Sequence, residues 1–108
     1  MNVELITERD DLLIRRLVLE PDESMYWHID LCNRFTVVVQ GERLAIEYRD
    51  GGGRHEFAVY PGSAGWDAPD DRVHRAVNVG TAPYEEVVTF YRSSAGVEPQ
   101  PRCDGSAP

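Results

Sequence analysis

The sequence predicts an all-β chain folded as an antiparallel sandwich or small barrel, and three observations carry that reading. Short β-rich runs recur along the chain, and turn signals separate them roughly every ten residues. No stretch shows a convincing helical period. With 108 residues and no internal repeat, this is one domain over residues 1–92, followed by a flexible tail at 93–108.

The elements follow in order. "DLLIRRLVLE" (11–20) is β-rich and is closed by Pro21-Asp22. "MYWHID" (25–30) comes next, then "RFTVVVQ" (34–40), which ends at Gly41-Glu42. "RLAIEYR" (43–49) alternates and stops at Asp50 and the glycines 51–53, which have the backbone freedom of a hairpin turn. "RHEFAVY" (54–60) returns and is punctuated by Pro61-Gly62, and a short "AGWDA" (64–68) precedes Pro69. "VHRAVNV" (73–79) ends at Gly80, and "YEEVVTFYR" (84–92) is the last strand. The N-terminal "ELITERDD" reads equally as an extra strand or a helical turn. The tail "SSAGVEPQPRCDGSAP" is rich in Pro, Gly and Ser and has little to pack.

Composition removes several functions. The formal charge of −8 argues against a nucleic-acid partner, because phosphate binding needs a clustered basic surface. The chain contains no lysine, which excludes Schiff-base chemistry and a lysine general base. All eleven basic side chains are arginines, so their roles shrink to anchoring anions and pairing with carboxylates. No apolar run approaches a membrane span, and "MNVELITERDD" has neither the basic nor the apolar block of a signal peptide. A cytoplasmic protein without a membrane partner is expected. Cys32 and Cys103 suggest neither a disulfide framework nor a zinc knuckle, and Cys32 reads as a semi-buried small hydrophobe.

Three histidines remain to be placed. His55 follows "GGGR" at a hairpin tip and reads as an exposed polar residue. His28 and Asp30, in "HID", share strand parity and so turn toward one face. His74 lies on a strand of its own after "PDDRV".

These two histidine contexts resemble the two motifs of the cupins, small double-stranded β-helix barrels of jelly-roll type. The spacing of the first motif is matched by His28, Asp30, Arg34 and Gly41. The second is matched by Pro61-Gly62, Pro69, His74 and Asn78, with "NVG" (78–80) continuing it. The resemblance spans residues 11–92 and implies a cupin-type antiparallel barrel. Where metal-binding cupins carry three histidines and a glutamate, this chain offers His28, Asp30 and His74, with Arg34 at the glutamate position. Two imidazoles and a carboxylate match the facial triad of non-haem Fe(II) oxygenases, which leaves positions open for substrate and oxygen.

The resemblance therefore implies a divalent metal on His28, Asp30 and His74. Fe(II) is favoured, and Zn, Ni or Mn also suit the set. The activity implied is that of a small metalloenzyme, an Fe(II)-type dioxygenase, acting on a carbonyl- or carboxylate-bearing molecule. The alternatives are an isomerase, lyase or cyclase, with or without metal, and a non-catalytic small-ligand binder. Arg34 has three readings: it faces outward because the Asn33 turn changes parity, it pairs with Asp30, or it anchors a ligand's anion. Tyr26 shares the parity of His28 and is a second candidate for orienting the anion. Thr36 and Val38 continue the inward row if Arg34 begins it, Trp66 and Phe90 are candidate apolar walls, and Asn78 reads as a turn residue. A homodimer is expected, with "DLLIRRLVL" apolar enough to serve as its edge.

Overall fold

The computed structural model describes residues 1–92; the tail at 93–108, with Cys103, lies outside the described residues. Among the described residues nine strands form in chain order: β1 (Asn2–Arg9), β2 (Leu12–Leu19), β3 (His28–Asp30), β4 (Asn33–Gln40), β5 (Arg43–Tyr48), β6 (Arg54–Ala58), β7 (Ala64–Asp67), β8 (Asp70–Asn78) and β9 (Tyr84–Tyr91). Among the described residues there is no helix, and so none long and apolar enough to cross a membrane. Five strands make one sheet in the order β1-β2-β9-β4-β7, and four make the other in the order β3-β8-β5-β6. Every pairing is antiparallel. The chain is all-β, as the turn spacing predicts.

The open alternative at the N-terminus resolves as a strand: β1 pairs along β2 from Asn2↔Val18 to Arg9↔Leu12. That pairing corrects the expected edge. β2 lies between β1 and β9, and β1 is the outer strand, exposed along its whole length. The "MYWHID" strand is also shorter than expected. Only His28–Asp30 is extended, because Ser24 and Met25 are tied separately to Val77 and Ala76 of β8 before the chain turns at Trp27.

The interior follows period-two alternation. On β9, Tyr84, Glu86, Val88 and Phe90 are buried, while the residues between them are half-buried. On β2 the buried residues are Leu13, Leu17 and Leu19. Leu17, Leu19, Val38, Leu44, Ala76 and Tyr84 form one apolar cluster that joins the two sheets. Each large side chain withdrawn there contributes roughly 2 kcal/mol. Leu13, Cys32, Val88 and Phe90 form a second cluster. Cys32 is buried as expected.

Gly41 shows why a glycine stands at its motif position. Its φ is +152°, and a Cβ there would lie 2.8 Å from Tyr84 Cδ1 and 3.1 Å from Val59 Cγ2. The ring of Tyr84 seals one end of the core only because that Cβ is missing.

Candidate functional site

Strand pairing assembles the site. β3 and β8 are neighbours, and His28 sits directly opposite His74 in their register. Cross-strand partners have adjacent side chains, and here the imidazole centroids are 4.6 Å apart. Asp30, two residues along β3, projects to the same face. All three are buried, at 6%, 6% and 8% exposure for His28, Asp30 and His74. They border a cavity of about 510 Å³ between the sheets, which Arg34, Glu86 and Phe90 also line.

Hydrogen bonds dictate which nitrogen of each imidazole faces the cavity. His28 Nδ1 lies 2.7 Å from the carbonyl oxygen of Tyr26, and His74 Nδ1 lies 2.7 Å from that of Arg72. A carbonyl only accepts, so each Nδ1 carries a hydrogen and donates. Both Nε2 atoms then point at one oxygen, Asp30 Oδ2, at 2.7 Å from His74 and 3.5 Å from His28. With Nδ1 already donating, the short His74–Asp30 contact needs a second proton on Nε2. The carboxylate accordingly holds the His74 pKa above its ordinary value of 6.5. Burial pushes Asp30 up, but hydrogen bonds from His28 and His74 and the charge of Arg34 outweigh it and leave Asp30 well below the usual carboxylate range.

The donor set fits a divalent metal. His28, Asp30 and His74 each offer one ligand atom, and these atoms lie within 4.8 Å of one another. Imidazoles whose Nδ1–H is tied to a backbone carbonyl, with Nε2 turned inward, are oriented as metal-ligating histidines are. A proton on His74 Nε2 holds the place that a cation would take.

Arg34 does not face outward, which corrects one of its three readings. Asn33 belongs to β4, so no parity change follows it, and the guanidinium lines the cavity with 13% of its side chain exposed. Arg34 Nη1 is 3.0 Å from Asp30 Oδ2, and Nη2 is 3.9 Å from Asp67 Oδ2. The Nη1 contact is an ion pair without hydrogen-bond alignment, so this buried nitrogen has no hydrogen-bond acceptor among the described residues.

Thr36, Val38 and Phe90 line the cavity as expected. Tyr26 does not: its side chain is 72% exposed, because the chain is not yet a strand there and parity with His28 does not hold. It serves the site through its carbonyl alone. Trp66 is 67% exposed and packs against Phe35 and Tyr91 away from the cavity. β7 pairs Trp66 with Phe35, which has the opposite parity to Arg34 and Thr36, so both rings lie on the outer face. His55 is exposed, as expected. Asn78 is fully buried and holds a turn, donating to the carbonyls of Leu19 and Ala82 and accepting from Gly80 N–H.

Among the cavity residues that the sequence reading did not single out are Arg15, Tyr84 and Glu86. For Arg15 and Glu86 the signal was a charge on an apolar parity. In "YEEVVTFY", Glu86 falls in step with Val88 and Phe90, and in "LLIRRLVL", Arg15 falls in step with Leu13 and Leu17. The Arg15 guanidinium lies 4.9 Å from the Phe90 ring centroid. The Tyr84 hydroxyl donates to Glu86 Oε1 at 2.6 Å. Burial pushes both groups up: the phenol far beyond its ordinary range, and the Glu86 carboxyl above its ordinary 4.5 even though Tyr84, Arg15 and Arg34 pull the other way.

No family model and no curated protein matches this sequence. Solved structures do match. A cupin domain from Bordetella pertussis Tohama I superposes with a TM-score of 0.75 at 13% identity, over 85% of this chain and 93% of that one. A cupin with a double-stranded β-helix fold from Methanocaldococcus jannaschii gives 0.65 at 18% identity, over 83% and 78%. Oxalate oxidase in complex with the substrate analogue glycolate gives 0.59 at 21% identity, over 75% and 42%.

Proposed function

Taking as premise that the chain has the cupin fold, we propose that it is a small metal-dependent enzyme acting on a carbonyl- or carboxylate-bearing molecule, of the Fe(II) dioxygenase class. His28, Asp30 and His74 are the metal ligands of this reading. One observation carries it: both imidazoles have Nδ1–H pinned to a backbone carbonyl, so their Nε2 atoms converge with Asp30 inside the cavity. When bound, a divalent ion supplies a Lewis acid, and Fe(II) adds redox chemistry toward dioxygen. The chain's own residues do the rest. Arg34 pairs with the ligand's anionic end through its buried Nη1, and an acid that takes Nη1 relieves its contact with Asp30. Phe90, Val88 and Val38 exclude water from the reacting end. That a cupin-fold neighbour, oxalate oxidase, is seen with glycolate supports a small acid as ligand.

Elemental analysis of protein purified without chelator tests the reading, with about one divalent ion per chain expected. A wild type that stays metal-free after anaerobic Fe(II) loading overturns it. Oxygen uptake with a panel of small hydroxy and oxo acids then separates a dioxygenase from a metal-dependent isomerase, lyase or cyclase.

The Asp30–Arg34 ion pair favours a second reading, a metal-free pocket that binds or isomerises small acids. Arg34→Glu separates the two, since a large rise in metal occupancy would show that Arg34 competes with the ion for Asp30. The reading keeps the cytoplasm as compartment and a homodimer as assembly, which fractionation and light scattering check.

A further inference from the structure

The cavity carries more polar chemistry than a metal and one anion contact use. Glu86 is 6% exposed, borders the cavity from β9, and makes no direct ion pair among the described residues. A carboxyl buried among Leu17, Val38 and Val88 without an ion pair is expensive in a small barrel. An apolar residue there would continue the alternation of β9 at no such cost. Tyr84, itself 2% exposed, fixes one oxygen of this carboxyl by donating to Oε1. The groups that face Glu86 are Arg15 from β2, Arg34 from β4, Asp30 from the opposite sheet and Tyr84 from its own strand.

Register sets the spacing. Arg34 pairs with Phe90 across β4 and β9, and Val38 pairs with Glu86. Arg34 and Glu86 therefore stand four residues apart along neighbouring strands, about 13 Å at the backbone, with both side chains projecting inward. The cavity has two poles, one of fixed positive charge and one of an acid buried beside a phenol.

We propose that Glu86, positioned by Tyr84, is the second recognition group of the cavity, which takes a bifunctional acid: a carboxylate at Arg34 and a carbonyl or hydroxyl oxygen at Glu86. Tyr84 donates to Oε1, and the neutral carboxyl donates its own hydrogen to the ligand's oxygen. Burial favours that protonation state. The proposal rests on the small-acid part of the functional reading and deepens it.

Calorimetric titration of the metal-free full chain tests it with two matched pairs, 4-oxopentanoate against pentanoate and 6-oxoheptanoate against heptanoate. The wild type should prefer the oxo acid about 10-fold in at least one pair, the worth of one buried hydrogen bond. Tyr84→Phe with Glu86→Leu removes both partners together and leaves no orphaned hydroxyl, so the double variant should fold with an undiminished melting temperature. It should bind the oxo acid no more tightly than its partner. Equal affinities in both wild-type pairs, or a preference that survives in the double variant, overturn the proposal alone. If neither the oxo acids nor the simple acids bind, the small-acid reading falls with it.

Discussion

The two walls of the cavity solve the problem of buried polarity in different ways. On the β3–β8 wall, His28 and His74 hand their Nδ1–H groups to backbone carbonyls and meet at a single carboxylate oxygen. On the β2–β9–β4 wall, Arg15, Arg34 and Glu86 are set among leucines, valines and Phe90, and among the described residues only Tyr84 supplies Glu86 with a hydrogen bond. The first wall is organised by its backbone, so its geometry is stiff before anything binds. On the second, the Glu86 carboxyl is embedded in an apolar layer, which lowers stability unless a ligand completes it. The lesson is that a converging donor set and a polar group embedded in an apolar layer need different supports: local tethering for one, packing for the other.

The largest expected effect breaks the first wall. His74→Ala should weaken divalent metal binding by roughly 100-fold or more, read by calorimetry, while the far-ultraviolet spectrum stays that of a β barrel. Unchanged affinity would remove His74 from the ligand set.

The next tests the packing of the second wall. Leu17→Ala, in a side chain with 1% exposure, should lower unfolding stability by about 3 kcal/mol in urea titration. A loss below about 1 kcal/mol would mean that this layer is already loose.

A smaller effect sharpens the contrast through pH. The folded-state pKa of Glu86 is raised, so the folded protein holds a proton that the unfolded chain gives up above the ordinary 4.5. Its contribution is full below that value and is lost as pH rises through the raised one. The melting temperature of the Tyr84→Phe, Glu86→Leu variant should therefore gain on the wild type as pH climbs from 4 to 8. A constant difference would mean that Glu86 titrates alike in both states.

The smallest effect concerns Tyr26, which meets the site only through its carbonyl. Tyr26→Ala should leave metal affinity and stability within about 0.5 kcal/mol of the wild type, by the same calorimetric and urea measurements.

How far these walls were legible depends on the kind of signal each left. His28, Asp30 and His74 stand in spaced motifs bounded by turns, and the pairing of β3 with β8 brings them together as the motif resemblance implies. Tyr26 was misplaced by parity, because parity holds only inside a continuous strand, and Trp66 was misplaced because an aromatic ring in a short strand does not say which face is inward. Arg34 was ambiguous for the same reason until β4 proved regular from Asn33 onward. Glu86 and Arg15 were passed over because a charged residue in an amphipathic strand is by default assigned to solvent.

By itself the sequence determined the all-β class, most strand positions, the absence of any lysine chemistry and the His–Asp–His set. Alternation and turn residues are local properties, and they survive without knowledge of the rest of the chain. Only the tertiary structure decided that β1 is the outer strand, that Arg34 turns inward onto Asp30, and that Glu86 and Tyr84 close the far side of the cavity. Those outcomes depend on which strands become neighbours and which face each sheet turns to the other, and long-range pairing supplies that information where local pattern does not.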